Sequence, residues 1–400
     1  MALASSSLNN ALVSQVSSIQ NNYATQVVSS VEGLEELIPE WTALTHLLGT
    51  TQINLDPCWL LTWLEHFPPE KLFIITVRDS QDQLLGLAPL KLDKGKTGVF
   101  NRLVRYLEFI GTQPSLYDEI QFLIHPKASQ QQVIQEIAQA IQSHASQWDI
   151  LNLPFVSNQQ QLQSLAEALK GIDTNESMGV TIEETMSTFS FELPETIDAY
   201  ETNGKKNRRK LREYTNKMNR YFPDDPLDLT VYESQEGLFE DFQAFVFRHI
   251  EYWQENGVKS PFKRYPVLKD FYLDLFERYA RSSQPFHMQF SVLKAGEKIM
   301  GYDLGICQRG TYLTQIPCYR AEFRRYSPGF LLTEGLIRRA IDKGLSSYSF
   351  GRGNEPYKAQ WCQEGQPLWN LAYTQTSIGS FCVEIDTQLK RIFRLTESKI

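Results

Sequence analysis

The sequence has few cysteines, and their spacing fits neither a metal site nor a disulfide framework. Five occur in 400 residues, an odd number at widely scattered positions: Cys58, Cys307, Cys318, Cys362 and Cys382. Zinc sites use closely spaced pairs of ligands, so no metal is expected. We expect unpaired thiols in a reducing cytoplasm, with Cys318 as a small buried side chain and not a nucleophile.

The sequence also lacks the marks of a secreted or membrane-spanning protein. Residues 1–24 contain no Lys or Arg and no apolar run typical of a signal peptide, so we expect a disordered tail there. A membrane helix needs about 18 or more apolar residues in succession, and the chain has no such run. A soluble, cytoplasmic protein is the expectation.

The chain has fewer positively than negatively charged residues. The formal net charge is -8, which disfavours broad contact with nucleic acid, so no nucleic acid partner is expected. An anionic ligand would need a local basic patch. With 42% hydrophobic and 22% charged residues, the chain has the composition of a globular protein, and it is long enough for two domains.

The most informative pattern lies between Thr311 and Trp361. Alternating residues from Tyr312 to Ile316 predict a strand, and a turn follows at residues 324–329. Apolar residues at helical spacing predict a helix over 330–343 that ends at Gly344, and Ser347 to Phe350 predicts the next strand.

The turn before this helix is a candidate phosphate site. Gly329 lets backbone N–H groups approach a ligand, and the first turn of a helix favours an anion such as pyrophosphate. The candidate ligand-binding residues are Arg324, Arg325, Tyr326, Ser327, Gly329 and Phe330. The alternative is an ordinary Pro-Gly turn with solvated arginines, and these residues alone do not decide between the two.

The stretch as a whole resembles the CelD-like acetyltransferases of the GNAT superfamily. The matching residues are Tyr326, Ser327, Pro328, Gly329 and Leu332, and then Phe350, Gly351, Arg352, Gly353, Tyr357, Lys358 and Trp361. Ser349 and Asn354 stand where the family commonly has acidic residues. The resemblance implies acetyl-CoA as acyl donor and a role in polysaccharide or cell-envelope metabolism.

Elsewhere the chain alternates helices and strands in an order that a GNAT domain uses. Val31–Leu48 and Pro57–His66 are predicted helices, Ile120–Ile124 is a predicted strand, Ile150–Leu153 is a strand stopped by Pro154, and Ile197–Tyr221 is a helix. We predict an α+β fold of tandem GNAT-like domains, each a mixed, mainly antiparallel sheet flanked by helices, similar in arrangement to FemABX transferases. The expected divisions are a tail at 1–24, domains at 25–190 and 191–385, and a tail at 386–400.

Acyl transfer from a thioester needs an acid for the leaving thiolate and a base for the acceptor. Tyr357 is the candidate acid, because its place after a strand resembles that of the GNAT tyrosine; the alternative is a ring packed on Trp361. Glu355 and Asp303 are the candidate bases. For Asp303, a position at a sheet edge or in an arginine pair is the competing explanation.

The candidate substrate-binding residues carry charge or a large ring near these motifs: Arg352, Lys358, Trp361, Asp118, Arg208 and Arg212. Arg208 and Arg212 lie four residues apart, on one face of the predicted helix, within a basic run that is otherwise expected to be solvated. Lys358 and Arg352 are alternatively expected to pair with Glu355, and Asp118 to start a strand.

The sequence therefore predicts an acyltransferase that moves an acetyl or other acyl group from acyl-CoA to an amine or hydroxyl by direct attack. The acceptor is expected to be a small molecule or saccharide bound between the domains. Two alternatives stay open: a FemABX-like aminoacyl transferase, which would use charged tRNA, and a noncatalytic binding protein with a GNAT fold.

Overall fold

A computed structural model describes residues 23–95, 104–112, 119–172, 179–203, 205–255, 257–279, 286–362 and 364–382. The strands are β1 Ala24–Val28, β2 Lys71–Arg78, β3 Leu84–Lys94, β4 Arg105–Phe109, β5 Leu123–Ile124, β6 Ile150–Val156, β7 Val180–Glu192, β8 Leu227–Tyr232, β9 Phe286–Ala295, β10 Lys298–Gln308, β11 Thr311–Tyr319, β12 Ser347–Arg352 and β13 Gln366–Thr374. The helices are α1 Val31–Leu48, α2 Pro57–His66, α3 Gln130–Ser143, α4 Gln159–Ile172, α5 Ile197–Asn203, α6 Lys205–Tyr221, α7 Leu238–Glu255, α8 Pro261–Arg264, α9 Val267–Arg278 and α10 Pro328–Asp342. The predicted α+β class is confirmed.

The strands form one continuous sheet. Its order is β1-β2-β3-β4-β6-β13-β7-β12-β11-β10-β9-β8, with β5 paired to β3. Most neighbours are antiparallel, and the named strands pair in parallel only at β4–β6 and β11–β12. These two parallel pairs lie at equivalent places in a repeated order of elements.

That order occurs twice along the chain. The first repeat runs from β1 through α1 and α2, the strands β2 to β4, and α3 to β6. The second runs from β8 through α7 to α9, the strands β9 to β11, and α10 to β12. The predicted tandem arrangement is therefore confirmed, with the two repeats joined edge to edge in one sheet.

Two strands join the repeats in a way that the sequence does not predict. β7 pairs through its first part with β13 and through its last part with β12. β13, although last along the chain, lies between β7 and β6 of the first repeat. The C-terminal strand thus completes the half of the sheet that the N-terminal residues begin.

Aromatic contacts and hydrogen bonds from α2 to α9 and the residue after it hold the repeats together on one face. The Trp59 and Phe271 rings meet edge to face with centroids 5.5 Å apart. His66 lies 2.9 Å from Asp274, and the carbonyl of Cys58 accepts a hydrogen bond from the Tyr279 hydroxyl. The described residues contain no helix long and apolar enough to cross a bilayer.

Several predicted boundaries are wrong. β6 does not stop at Pro154 but continues to Val156, because the register against β13 shifts at this point and the missing N–H of proline breaks no regular ladder. The predicted helix over 197–221 is two helices, α5 and α6. Of the strand predicted over 120–124, only Leu123–Ile124 pairs as a strand, and Ile120 forms a single bridge.

A buried ion cluster lies inside the first repeat. The Lys91 ammonium lies 2.7 Å from Asp93 and 2.8 Å from Glu108, and it sits over the Trp63 ring. Burial alone would lower the pKa of Lys91, but the charges of Glu108 and Asp93 outweigh that effect and raise the pKa. The cation therefore stays charged in the core.

Replacing Lys91 with methionine should destabilise the protein by about 3 to 5 kcal/mol, because two carboxylates are left without their shared cation. The matched control is Lys94→Met on the same strand. Lys94 is exposed and pairs with Glu70 at 3.3 Å, so its loss should change stability by less than about 1 kcal/mol. Urea unfolding of both variants measures the difference, and equal effects would show that the cluster does not stabilise the fold.

Candidate functional site

The two parallel strands of the second repeat separate soon after they pair. Thr311–Leu313 of β11 is in register with Ser347–Ser349 of β12, and the ladder ends there although β11 continues to Tyr319. At the point of separation the hydroxyls of Thr314 and Tyr348 lie 2.6 Å apart. Their contact forms the floor of an opening between the strands.

The chain reaches the mouth of this opening through a strained turn. Ser327 has a φ of 55°, and its side chain does not cap α10. Within the described residues, the N–H groups of Gly329 and Phe330 have no protein acceptor. A Cβ built on Gly329 would meet the Tyr319 ring only at 3.8 Å, so there is open space beside this residue. The helix N-terminus therefore presents free N–H groups to a cavity.

The cavity at the start of α10 has a volume of about 280 Å³. It is lined by Tyr214, Tyr319, Arg324, Ser327, Pro328, Gly329, Phe330 and Gln360. Four of the residues predicted from the turn, Arg324, Ser327, Gly329 and Phe330, thus share one surface.

The other two residues of the predicted turn lie elsewhere. Tyr326 is 1% exposed and packs against Tyr221 and Phe222. The Arg325 guanidinium stacks over the Tyr221 and Tyr326 rings at 5.2 and 4.7 Å, and the Arg325 carbonyl accepts a hydrogen bond from Lys217. Both therefore support the turn from behind and do not line the cavity.

Helix α6 supplies the opposite wall, through residues that sequence reasoning missed. The Lys210 ammonium lies over the Phe330 ring and donates to the Gln360 side chain at 2.7 Å, and Tyr214 packs edge to face on Phe330. Arg208 and Arg212, the residues predicted from charge, are exposed instead. The signal was the helical spacing of Leu211, Tyr214 and Met218, which marks the inward face and places Lys210 and Lys217 beside it.

A row of aromatic rings connects the cavity with the floor of the opening. Phe330 stacks on Trp361 with centroids 5.2 Å apart, and Trp361 stacks on Phe350 at 6.3 Å. Phe350 in turn contacts Tyr348 at 4.9 Å. Trp361, predicted to bind substrate, is thus part of an apolar wall between the two places.

Tyr357 lies beside this row and is 37% exposed. Its ring meets Phe350 edge to face at 6.1 Å. Burial, together with the charges of Glu355 and Asp303, raises the pKa of Tyr357 above its ordinary value. The phenol is therefore protonated at neutral pH and able to donate a proton.

Lys358 is used within the protein. Its side chain is 2% exposed, and the ammonium donates to the carbonyls of Gly351, Arg352 and Gly353 and lies 3.0 Å from Glu355. Four acceptors surround its three donors, so the geometry does not favour the predicted contact with substrate. Lys358 instead holds the turn that follows β12, and its predicted alternative, pairing with Glu355, is confirmed.

Asp303 is fully buried, so the prediction of an edge or arginine-paired position is wrong. β10 lies inside the sheet, and α10 covers this face of it. One carboxyl oxygen accepts from the Tyr312 hydroxyl at 2.5 Å, and the other has no partner among the described residues. Burial raises the pKa of Asp303 to about 7, although the bond from Tyr312 opposes this shift.

Tyr312 reaches Asp303 across a glycine. A Cβ at Gly305 would lie 2.2 Å from the Tyr312 hydroxyl, so no side chain fits there. The Tyr312 ring packs on Tyr348 with centroids 5.2 Å apart. The buried carboxyl is thus connected with the floor of the opening through two tyrosines.

The remaining predicted residues lie toward the first repeat. The Arg352 guanidinium sits 4.2 Å over the ring of Phe155, a residue of β6 with a φ of 57°. Asp118 falls outside the described residues, and its neighbour Glu119 accepts from the Gln52 side chain at 3.1 Å. The Arg352–Phe155 contact therefore joins the end of β12 to the first repeat.

The first repeat has the same divergence of strands, but its own chain fills the gap. Beyond the three-residue pairing of β4 with β6, Ile120 bridges to β6 and the Gln161 side chain bonds both backbone groups of Phe122. Helix α3 is also capped, since the Ser129 side chain accepts from the N–H of Gln132. Within the described residues, only the second repeat therefore combines an opening with an uncapped helix.

Comparisons with known proteins also point to the second repeat. Residues 205–359 match the family model of an acetyltransferase (GNAT) domain. That match includes α6, the opening, Tyr357 and the cavity-lining residues other than Gln360. The second repeat is similar to GNAT acetyltransferase domains. No curated protein matches the chain significantly.

Solved structures show the same fold over nearly the whole chain. FemX is similar over 87% of this chain and 97% of its own, with 11% identity and a TM-score of 0.54. The C-terminal domain of a putative lysylphosphatidylglycerol synthetase from Agrobacterium fabrum is similar over 89% and 97%, with 11% identity and a TM-score of 0.51. A tandem GNAT protein of the clavulanic acid pathway is similar over 88% and 98%, with 13% identity and a TM-score of 0.49. FemX and the lysylphosphatidylglycerol synthetase domain thus share the fold of the chain, residues 205–359 match a GNAT domain, and the narrower CelD-like resemblance stays a prediction.

The raised pKa of Asp303 predicts a specific dependence of stability on pH. Because the native pKa of about 7 exceeds the ordinary value of 3.8, the native state binds more protons between these values, and the contribution of Asp303 falls as pH rises through that window. Asp303→Asn should therefore gain stability relative to the parent between about pH 4 and 7, by up to about 4 kcal/mol.

Denaturant unfolding at several pH values measures this gain, with Asp224→Asn at an exposed position as the control. The control should follow the parent at every pH. A constant difference between Asp303→Asn and the parent across the window would contradict the assignment.

Proposed function

We propose that the protein is an acyltransferase that takes an acetyl or other acyl group from acyl-CoA and transfers it to an amine or hydroxyl acceptor. The observation that carries the proposal is the cavity at the uncapped start of α10, beside an opening between parallel strands. Similarity of residues 205–359 to GNAT acetyltransferase domains supports the same class of reaction. A cytoplasmic location is part of the proposal.

The residues around the cavity fit the diphosphate of a coenzyme A. The N–H groups of Gly329 and Phe330 and the Arg324 guanidinium would hold it, with Lys210 adding positive charge from α6. The helix dipole contributes about 0.3 to 1 kcal/mol at an exposed site, so charge-assisted hydrogen bonds must supply most of the affinity. The row from Phe330 to Phe350 offers an apolar surface to the rest of the carrier.

For the chemical step, we assign Tyr357 as the acid that protonates the leaving thiolate. It is partly exposed beside the aromatic row, and its raised pKa keeps the proton available. Of the two candidate bases, Glu355 is accessible to solvent and Asp303 is not. Glu355 therefore takes the acceptor's proton in this proposal, and Asp303 acts only as the buried partner of Tyr312.

We place the acceptor near Arg352 and Phe155, where the repeats meet. A small molecule or saccharide, as the CelD-like resemblance implies, would approach the opening from this side. Ser349 and Asn354, which replace acidic residues of that family, bond to the backbone of Gly351 and Ser187. Their role is therefore to shape the neighbouring turn.

Aminoacyl transfer from charged tRNA is the second candidate, because FemX shares the fold. It would need extensive contact with nucleic acid, which the net charge of -8 disfavours. A thiol-release assay with acetyl-CoA against amines, amino sugars and saccharides, run beside a charged-tRNA transfer assay, separates the candidates. CoA binding without release in either assay would indicate a noncatalytic binding protein.

Gly329→Asp should weaken binding of CoA at least about tenfold, because a carboxylate would face the diphosphate across the cavity. The matched control is Gly329→Asn, which has the same size without the charge and fits the space before Tyr319. Calorimetry with CoA measures both. Equal weakening by aspartate and asparagine would mean that the cavity excludes bulk and does not recognise an anion.

The two arginines of the turn provide a further comparison. Arg324→Gln should also weaken CoA binding, whereas Arg325→Gln should leave it within about twofold, because Arg325 stacks on rings outside the cavity. The same calorimetric titration applies. A larger loss for Arg325 than for Arg324 would move the diphosphate to the other side of the turn.

Tyr357→Phe should lower the turnover number by about 100-fold or more and leave the affinity for CoA within about twofold. The reason is that the phenol donates a proton in the transition state and adds little to binding of the carrier. Thiol release and calorimetry give the two readouts, with Tyr221→Phe at an exposed position as control. Unchanged turnover would remove Tyr357 as the acid.

A further inference from the structure

A second cavity lies at the other end of α10. It has a volume of about 380 Å³ and is lined by residues of β9, β10, β11, the C-terminal half of α10 and the segments beside them. Its lining includes the charged and polar residues Glu233, Gln289, Cys307, Tyr312, Arg339 and Lys343. A cavity of this size falls in the range that holds small organic ligands.

The mouth of this cavity carries an excess of positive charge. Arg339 donates to Glu233 at 2.8 Å, which balances one cation against one anion. The buried Nε of Arg339 has no acceptor among the described residues, and no protein partner of the Lys343 ammonium is found in the same part of the chain. Lys343 is therefore a cation at the mouth that no described acidic side chain balances, and Arg339 is the second cation of the lining.

The floor combines hydrogen-bonding groups with apolar surface. The Gln289 side chain is 4% exposed, donates to Ser291 at 3.2 Å and accepts a weak bond from the Cys307 thiol. Leu336 and Ala340 of α10 form the apolar side. Such a floor suits the body of an organic molecule better than a bare inorganic ion.

Tyr312 separates this cavity from the opening between β11 and β12. Its ring forms part of the cavity wall, stacks on Tyr348 and is 1% exposed, and its hydroxyl is bound to Asp303. Both tyrosines are buried, so they close the path from the cavity to the floor of the opening. A ligand here would therefore bind apart from the acyl carrier.

We propose that the cavity beneath the C-terminal half of α10 binds a small organic anion, a carboxylate or a phosphate monoester. Its charged group lies between Arg339 and Lys343, and its body rests on Leu336, Ala340 and Cys307. The C-terminus of α10 carries partial negative charge, which accounts for nearby cations but not for a cavity beside them. The proposal does not depend on acyl transfer at the other end of the helix.

Calorimetry of the full chain with four probes tests the proposal: phenyl phosphate, benzoate, inorganic phosphate and benzyl alcohol. Phenyl phosphate or benzoate should bind with a dissociation constant of about 1 mM or tighter, and whichever binds identifies the anionic group. Benzyl alcohol lacks the negative charge, and inorganic phosphate lacks the apolar ring. Both should therefore bind at least about tenfold more weakly than the organic anion. Binding of neither organic anion would overturn the proposal.

Two variants locate the binding. Lys343→Gln should weaken it at least about threefold, and Ala340→Met should abolish it by filling the cavity. Lys269→Gln on α9 is the matched surface control and should bind like the parent. Lys343 is exposed, so its variant decides the question even if Ala340→Met unfolds. Equal binding by Lys343→Gln and the parent would place the anion elsewhere.

The two ends of α10 can be tested independently. Gly329→Asp, which is designed to weaken CoA binding, should bind the organic anion with unchanged affinity. Loss of the organic anion in this variant would overturn the second site. Loss of CoA binding alone bears only on the proposed acyl transfer.

Discussion

The early end of pairing between β11 and β12 is the constraint on which the candidate site depends. After Leu313 and Ser349 the strands separate, and the contact between the Thr314 and Tyr348 hydroxyls fixes where they do so. Because β11 leads into the turn before α10, the separation also sets where that helix begins. A longer ladder would close the opening between the two strands.

The duplicated architecture is used in two different ways. In the first repeat, Ile120 and Phe122 fill the divergence and are almost fully buried, and burying each side chain of this size contributes about 1.5 to 3 kcal/mol. In the second repeat, the equivalent gap stays open. The first repeat therefore buries apolar side chains at the place where the second repeat has an opening, and it presents Phe155 to Arg352 of the other half.

Local patterns in the sequence predict most helices and strands, because periodicity depends on residues near one another. They do not predict that β13 lies between β6 and β7, since that pairing joins distant segments. Alternation along β10 predicts on which face of the sheet Asp303 lies, but it does not predict that α10 covers that face. Charge density alone points to Arg208 and Arg212, whereas the apolar side of α6 places Lys210 over the Phe330 ring beside the cavity.

The pairing of Asp303 with Tyr312 has a structural explanation that does not require catalysis. The Tyr312 side chain, which separates the second cavity from Tyr348, extends over β10. Gly305 has no side chain and so leaves room for the phenol. A buried hydroxyl needs an acceptor, and a protonated or ionised carboxyl at Asp303 supplies one at 2.5 Å. The carboxyl itself is costly in this position. Its presence is explained if the tyrosine must hold one orientation, because only then does the wall between the two ends of α10 stay closed.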